Sequence, residues 1–276
     1  MVYRLGKRAI SQFIRSDCQR RLRLDLYKSD ADREVAGAPK RDTRRPGLAL
    51  LTQAGRSHER RKFNELTEVL PGLVIHGETT AFAEGEERAF GTLSLEERLG
   101  EAGANQILIE AEFKVEAPFI AAHGLEDLNG GAFFGGADRL EFAKVRPDII
   151  HVVPPDGSVR RAIMADGSLE TVDDQRRHGL RIVDIKISGE ASPAHFAELA
   201  YYGMTLAGWL TAHGYDDRYF VLAEAAVWPG RHDASSIERQ LQADVAEHVV
   251  ERRPALYLAA FAQDLETMPP EVVLGR

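Results

Sequence analysis

The sequence contains a single cysteine, Cys18. One cysteine excludes an intrachain disulfide, and it excludes an intrachain cysteine-rich zinc or iron–sulfur site. A cytoplasmic setting is the simplest expectation. No apolar run approaches the roughly 18 residues needed to span a bilayer, so no membrane partner is expected. The first residues, MVYRLGKRAI, are basic but lack the apolar core of a signal peptide. There is no internal repeat and no low-complexity stretch. A Gly-x-Ser-x-Gly elbow and a P-loop glycine–lysine signature are also missing, which argues against a serine hydrolase or a P-loop enzyme.

What remains is an ordinary globular profile. Of 276 residues, 44% are hydrophobic and 28% charged, enough for one large α/β domain or for one domain with an embellishment. The net charge of −8 argues against a general nucleic-acid coat, which would be basic. The charge is uneven, however. Arg20, Arg21, Arg23, Lys40, Arg41, Arg44, Arg45, Arg56, Arg60, Arg61 and Lys62 crowd the first part of the chain, and the remainder is correspondingly acidic. Two readings stay open: a solvated basic surface, or a rim that contacts phosphates through residues such as Arg20, Arg21, Arg56 and Arg60.

Along the chain, Ile10, Ile14, Cys18, Leu22 and Leu26 recur every four residues and predict one amphipathic helix over 10–27. Residues 28–47 are polar with two prolines and predict a loop. A second helix is expected over 48–70, ending before Pro71-Gly72. Ser94 with Glu97 three residues on has capping-box spacing and predicts a helix over 94–102. Residues 106–115, QILIEAEFKV, alternate strictly and predict a strand with one wet face carrying Leu108, Glu110, Glu112 and Lys114. A glycine-rich turn and a strand pair follow. Further strands are expected over 147–153, 180–187 and 219–227. A polar excursion covers 164–179, a helix covers 193–212, and a long helix starts near Ser236 with a kink at Pro254. This order implies a mixed central sheet with helices on both sides.

Chemistry concentrates around Asp184-Ile185-Lys186. An acid-x-lysine tripeptide is weak alone, because roughly one is expected by chance at this composition. Glu112-Phe113-Lys114 is a second match, read as surface decoration because Glu110 shares its face. Around Asp184 the apolar residues Ile182, Val183, Ile185 and Ile187 indicate a buried central strand, with Asp184 and Lys186 on one face. Burying an acid and an ammonium is costly unless they pair or a metal takes the carboxylate. One reading is a buried salt bridge; the other is a metal-binding Asp with a Lys that positions water. Asp148 opens a second apolar strand, and two such strands side by side could present both acids to a hard cation such as Mg²⁺ or Mn²⁺.

Four segments together resemble the PD-(D/E)XK nuclease superfamily, in its branch of RecB-like and CRISPR-adaptation exonucleases. They are Gly55-Arg56-Ser57-His58-Glu59, Arg146-Pro147-Asp148-Ile149-Ile150, Ile182-Val183-Asp184-Ile185-Lys186 and Glu198-Leu199-Ala200-Tyr201-Tyr202. The resemblance is loose over about 10–230 and closer over 140–210. It implies a restriction-endonuclease-like α/β fold, a mixed central sheet flanked by helices, with a basic N-terminal helix and loop (1–47) packed on a nuclease domain (48–276). It implies DNA hydrolysis with one or two Mg²⁺ or Mn²⁺ ions, in repair or phage defence and with other subunits of such a complex. His58, Asp148 and Asp184 would be metal ligands and Lys186 the catalytic lysine, with Glu198 and Tyr202 beside them on one helix face. The cysteine cluster of many relatives is absent, so no iron–sulfur cluster is implied. Glu198 stands where Gln is usual, and the span from Asp148 to Asp184 is long. Asp138, in a Gly-Ala-Asp context, competes with Asp148, and Glu59 competes with His58. A non-catalytic nucleic-acid-binding or scaffold subunit that keeps the fold is the alternative function.

Overall fold

The computed structural model describes residues 2–27, 29–39, 48–80, 89–126, 139–173, 176–188 and 191–230. The glycine-rich turn with Asp138, and the expected C-terminal helix with Pro254, lie outside the described residues. The helices are α1 (Lys7–Ser16), α2 (Gln19–Leu26), α3 (Asp30–Val35), α4 (Leu48–Val69), α5 (Leu95–Leu99), α6 (Ala117–Ala122) and α7 (Pro193–His213). The strands are β1 (Val2–Leu5), β2 (Val74–Ile75), β3 (Thr79–Thr80), β4 (Ala89–Phe90), β5 (Leu93–Ser94), β6 (Ile107–Ile109), β7 (Ala111–Glu112) and β8 (Arg139–Phe142). They continue as β9 (Ile149–Val153), β10 (Arg160–Ile163), β11 (Leu169–Val172), β12 (His178–Lys186), β13 (Tyr219–Val221) and β14 (Ala226–Pro229).

The protein is mixed α/β. Its main sheet runs β13-β12-β9-β6-β2, with β14 beside the second half of β12. β12 is parallel to β13 and β14 and antiparallel to β9; β6 is antiparallel to β9 and parallel to β2. Side chains alternate between the two faces. Leu180 and Ile182 of β12, with Leu108, Ile150 and Val152, share one core with Phe196, Leu199, Tyr202 and Leu206 of α7. Val183 and Ile185, with Ile107, Ile109 and Ile149, share the other with Phe63 and Leu66 of α4. The sheet is therefore covered by α7 on one face and α4 on the other. Both faces of β12 are buried from Gly179 to Ile185, as the near-continuous apolar pattern requires.

Several expectations are corrected. Residues 10–27 are two helices, broken where Asp17 takes a left-handed backbone (φ 44°). A four-residue repeat drifts about 40° per step around a helix of 3.6 residues per turn, so Ile10 to Leu26 never formed one stripe. Ile14 is in fact exposed, and Ala9 and Ser11 are the buried residues of α1. The stretch expected as loop contains α3, which Ser29 and Asp32 close with a reciprocal capping box. Arg33 of that helix is buried and donates to the carbonyls of Leu24 and Pro39. Residues 106–115 form two short strands, not one, because Glu110 between them has φ 49°. Leu108 is fully buried, so β6 has no wet face. The polar excursion holds β11, which makes a hairpin with β10. Residues 219–227 divide into β13 and the start of β14. Ile187 lies past the end of β12 and is exposed.

α7 owes its position to small residues. A Cβ on Gly208 would lie 3.0 Å from Phe119 Cβ and from its backbone N, so glycine lets α6 close on α7. Its N-terminus has Pro193 at the first turn, and Gly214 (φ 68°) ends it in a left-handed cap.

Candidate active site

The antiparallel register of β9 and β12 pairs Ile149 with Val183. Continuing that register by one residue brings Asp148 opposite Asp184. Asp148 Oδ2 accepts a 2.6 Å hydrogen bond from the Ile185 backbone N–H, which fixes the carboxylate across the end of the ladder. Asp184 is fully buried. Its Oδ2 lies 2.5 Å from Lys186 Nζ, and the same ammonium donates to Glu198 Oε2 at 3.0 Å. The Asp184 contact lacks hydrogen-bond alignment, and neither Asp184 oxygen has a hydrogen-bond partner. Tyr202 lies one turn beyond Glu198 on α7; it is buried, and its hydroxyl has no partner. The strand and the following helix thus converge as the sequence suggested, with Asp148, Asp184, Lys186 and Glu198 in one cluster against Tyr202.

Three further residues join this cluster that the sequence did not single out or left undecided. Glu110 sits at the left-handed kink between β6 and β7. Its N–H donates to the Asp148 carbonyl at 2.9 Å, and Arg146 Nε lies 3.6 Å from its carboxylate. Glu59 of α4 is in the field of Asp148, Lys186, Lys7 and Glu110. Lys7, the first residue of α1, feels Asp148, Asp184, Glu198 and Glu59.

The electrostatics follow from burial and crowding. Burial, reinforced by Asp148, pushes the Asp184 carboxyl up to about 7 against the pull of Lys186 and Lys7. Burial and Asp148 likewise push Glu59 up to about 7. Burial also raises Glu110, although Arg146 opposes it. Glu198 goes the other way: burial opposes its charge, but Lys186 and Lys7 outweigh it and hold the carboxyl below its ordinary value. Burial disfavours the charge on Lys186, yet Asp184, Glu198 and Asp148 overcome it and its pKa is raised. Ionised together, the carboxylates Asp148, Asp184, Glu198, Glu59 and Glu110 would outnumber the cations Lys186, Lys7, Arg146 and Arg60 that act on them.

His58 does not join the cluster. It is buried with Nε2 unpartnered, and its charged neighbours are Lys62, Arg61 and Glu65. Burial and those two cations lower its pKa. Adjacent helical residues point about 100° apart, so a turn that aims Glu59 at Asp148 aims His58 elsewhere. Gly55 makes no close approach, since a Cβ there would meet nothing within 4 Å. Glu112 of the other acid-x-lysine match is bound by Lys144, and Lys114 is exposed. Arg20, Arg21 and Arg56 are exposed, and Arg21 faces Asp25 at 3.7 Å. Arg60 is near enough to Glu110 to stabilise its charge. Beside the cluster, an open cavity of about 410 Å³ is lined by Ile14, Arg15, Ser188, Ser192 and His195.

Among the described residues no three His, Cys, Asp or Glu side chains converge as a ready set of metal ligands. The donor chemistry nevertheless fits a hard cation. Mg²⁺ needs only one or two carboxylates plus water and substrate oxygens. Asp184 supplies two buried oxygens without aligned hydrogen bonds, one of them against the Lys186 ammonium, beside Asp148 in a cluster where acids outnumber cations.

No known protein family, no curated protein and no solved structure matches this chain.

If Glu59 is the ligand offered by α4, Glu59→Gln is expected to weaken Mn²⁺ binding about tenfold or more, equal to ~1.4 kcal/mol. His58→Gln is expected to leave binding within about twofold, on the same scale. Calorimetric titration of both variants checks this; equal losses would return His58 to the site.

Proposed function

We propose that this protein is a metal-dependent nuclease that hydrolyses phosphodiester bonds of DNA, on a restriction-endonuclease-like fold of the PD-(D/E)XK type. The observation that carries the reading is the fully buried Asp184, in contact with the Lys186 ammonium but with no hydrogen bond to either oxygen among the described residues, beside Asp148 and Glu198. An apolar strand that keeps a carboxylate at such a desolvation cost without hydrogen bonds is arranged for something other than stability. Asp148 and Asp184, with Glu59, would hold Mg²⁺ or Mn²⁺. When bound, the ion would lower the pKa of a water and offset charge on the phosphoryl oxygens.

The chain's own residues do the remaining work. Lys186 orients the attacking water or steadies negative charge at the phosphorus, and Glu198 fixes the direction of its ammonium. Tyr202 and the apolar wall behind it keep bulk water off the Asp184 side. Arg56, Arg60, Arg20 and Arg21 would carry the DNA backbone, so binding should weaken with salt. A cytoplasmic role in repair or phage defence, with partner subunits, belongs to the same reading.

One observation favours the second reading, a nucleic-acid-binding or scaffold subunit without activity. Lys186 is engaged by two carboxylates, and no three-ligand group converges among the described residues. Incubation of the purified protein with linear and circular, single- and double-stranded DNA separates the two. Cleavage that needs Mn²⁺ or Mg²⁺ and stops on chelation supports the nuclease. Binding without cleavage of any form supports the scaffold.

A further inference from the structure

The N-terminal segment reaches the candidate site through α1, which packs on α7. β1 pairs in parallel with β8, and the Ala143 N–H donates to the Leu5 carbonyl at 2.7 Å. Gly6 follows in extended conformation, and a Cβ there would come within 2.9 Å of Ala143 Cβ. The start of α1 is thereby pinned, and α1 then packs along α7. Two one-turn pairs face each other across this contact: Lys7 and Ser11 on α1, Glu198 and Tyr202 on α7. Ser11 is buried, its hydroxyl donates to the Arg8 carbonyl at 3.4 Å, and it is near enough to Glu198 to help hold that carboxyl below its ordinary value. Lys7 Nζ stands 5.1 Å from the centroid of the Tyr202 ring. α1 is thus a wall of the site, which its basic, period-four sequence did not suggest.

The two lysines are placed differently. Lys186 is in contact with Asp184 and Glu198. Lys7 makes no ion pair within 4.0 Å and no hydrogen bond through Nζ among the described residues; it has the aromatic face and the more distant field of four acids. An ammonium carries three donors, and its transfer from water is costly when they stay unused. The cation–π contact offsets only about 0.5–2 kcal/mol of that cost. Once the acids are neutralised, the described residues offer Lys7 no anion at contact distance. The anion that enters this space under the nuclease reading is a phosphate.

We propose that Lys7 is a substrate-contacting residue whose ammonium, steadied on the Tyr202 face, holds a non-bridging oxygen of the phosphodiester at the Asp148–Asp184–Lys186 cluster. This rests on the nuclease reading for the identity of the ligand, and it assigns to α1 a direct part in holding the strand. A purely structural role would have Lys7 only balance the acids.

The two roles separate in the full-length protein with Lys7→Met and Lys7→Arg. A fluorescent single-stranded oligonucleotide is bound in Ca²⁺ over a series of salt concentrations, and thermal melting is recorded beside it. Lys7→Met is expected to bind at least about tenfold more weakly at low salt and to lower the slope of log K against log salt by about 0.7, one phosphate contact on a single strand. Lys7→Arg is expected to restore most of the affinity and the slope. Cleavage in Mn²⁺ should fall with Lys7→Met even at saturating oligonucleotide.

A folded Lys7→Met that binds with wild-type affinity and slope overturns the proposal. Should Lys7→Met not fold, Lys7→Gln is measured in the same way, and failure of both to fold shows the structural role instead. If the wild type binds but never cleaves, and Lys7→Met still loses affinity and slope, the phosphate contact stands and the nuclease reading fails. If the wild type neither binds nor cleaves, both fail.

Discussion

Lys186→Ala is expected to abolish DNA cleavage and to destabilise the folded chain by about 3–5 kcal/mol, the usual cost of removing one partner from a buried ionic cluster. Among the described residues the ammonium is the one cation in contact with both Asp184 and Glu198. Without it, two buried carboxylates are left beside each other with no cation in contact among the described residues. Lys7 remains, but with no carboxylate at contact distance among the described residues. The loss of stability should shrink in acid, because Asp184, whose carboxyl sits at about 7, is then protonated and no longer needs a counter-charge. Melting curves of wild type and variant at pH 5 and pH 8 check this. A variant as stable as wild type at pH 8 would show that Lys186 is not the cation holding the cluster.

Asp184→Asn is expected to do the reverse to stability while also removing activity. The Asp184 carboxyl sits at about 7 against an ordinary 3.8, chiefly because of burial and then Asp148. Between those values the folded metal-free chain keeps a proton that the unfolded chain has lost. The group therefore lowers stability progressively as pH rises from about 4 to about 7, and its full cost is present above that. Asparagine has the same shape and no charge to desolvate, and Lys186 keeps Glu198 as its partner. The variant should melt at least ~2 °C above metal-free wild type at pH 8, where each kcal/mol is worth a few degrees in a chain of this size. Near pH 4 the two should coincide. Cleavage should fall at least ~100-fold, or ~2.7 kcal/mol of barrier. A stabilised but inactive variant is the signature of a residue kept for chemistry. Asp184→Asn melting below wild type at pH 8 would instead make the Asp184–Lys186 contact a structural salt bridge.

The parts of this site legible in the sequence are those fixed by local periodicity. The apolar residues around Asp184 required a strand buried on both faces, and period two then put Asp184 and Lys186 on the same side. Glu198 and Tyr202, four apart on a long helix, had to share a face. The opening of β9 by Asp148 was readable too, but its bond to the Ile185 N–H was not, because that contact depends on the β9–β12 register.

What escaped were residues delivered by tertiary contacts or by unusual backbone. Lys7 lies more than a hundred residues from the strand motif, and nothing in its surroundings states which way α1 will pack. Glu110 looked like part of a wet alternating face, and only a left-handed φ at a non-glycine residue turns it to Asp148. Glu59 and His58 are neighbours on one helix turn, so a rotation of about 100° decides between them, and sequence does not fix it. The N-terminal helices are hard to read because a strict four-residue repeat drifts around a helix and marks no single buried stripe.

The most direct test is the initial rate of linear DNA cleavage against Mn²⁺ concentration, for the wild type and for Asp184→Asn with its fold verified by melting. The predicted result is a wild-type rate that saturates with Mn²⁺, vanishes in chelator, and is absent from Asp184→Asn at every concentration. Wild-type cleavage that persists in chelator, or an Asp184→Asn variant that cuts as fast as wild type, would contradict the assignment of the cluster as a metal-dependent nuclease centre.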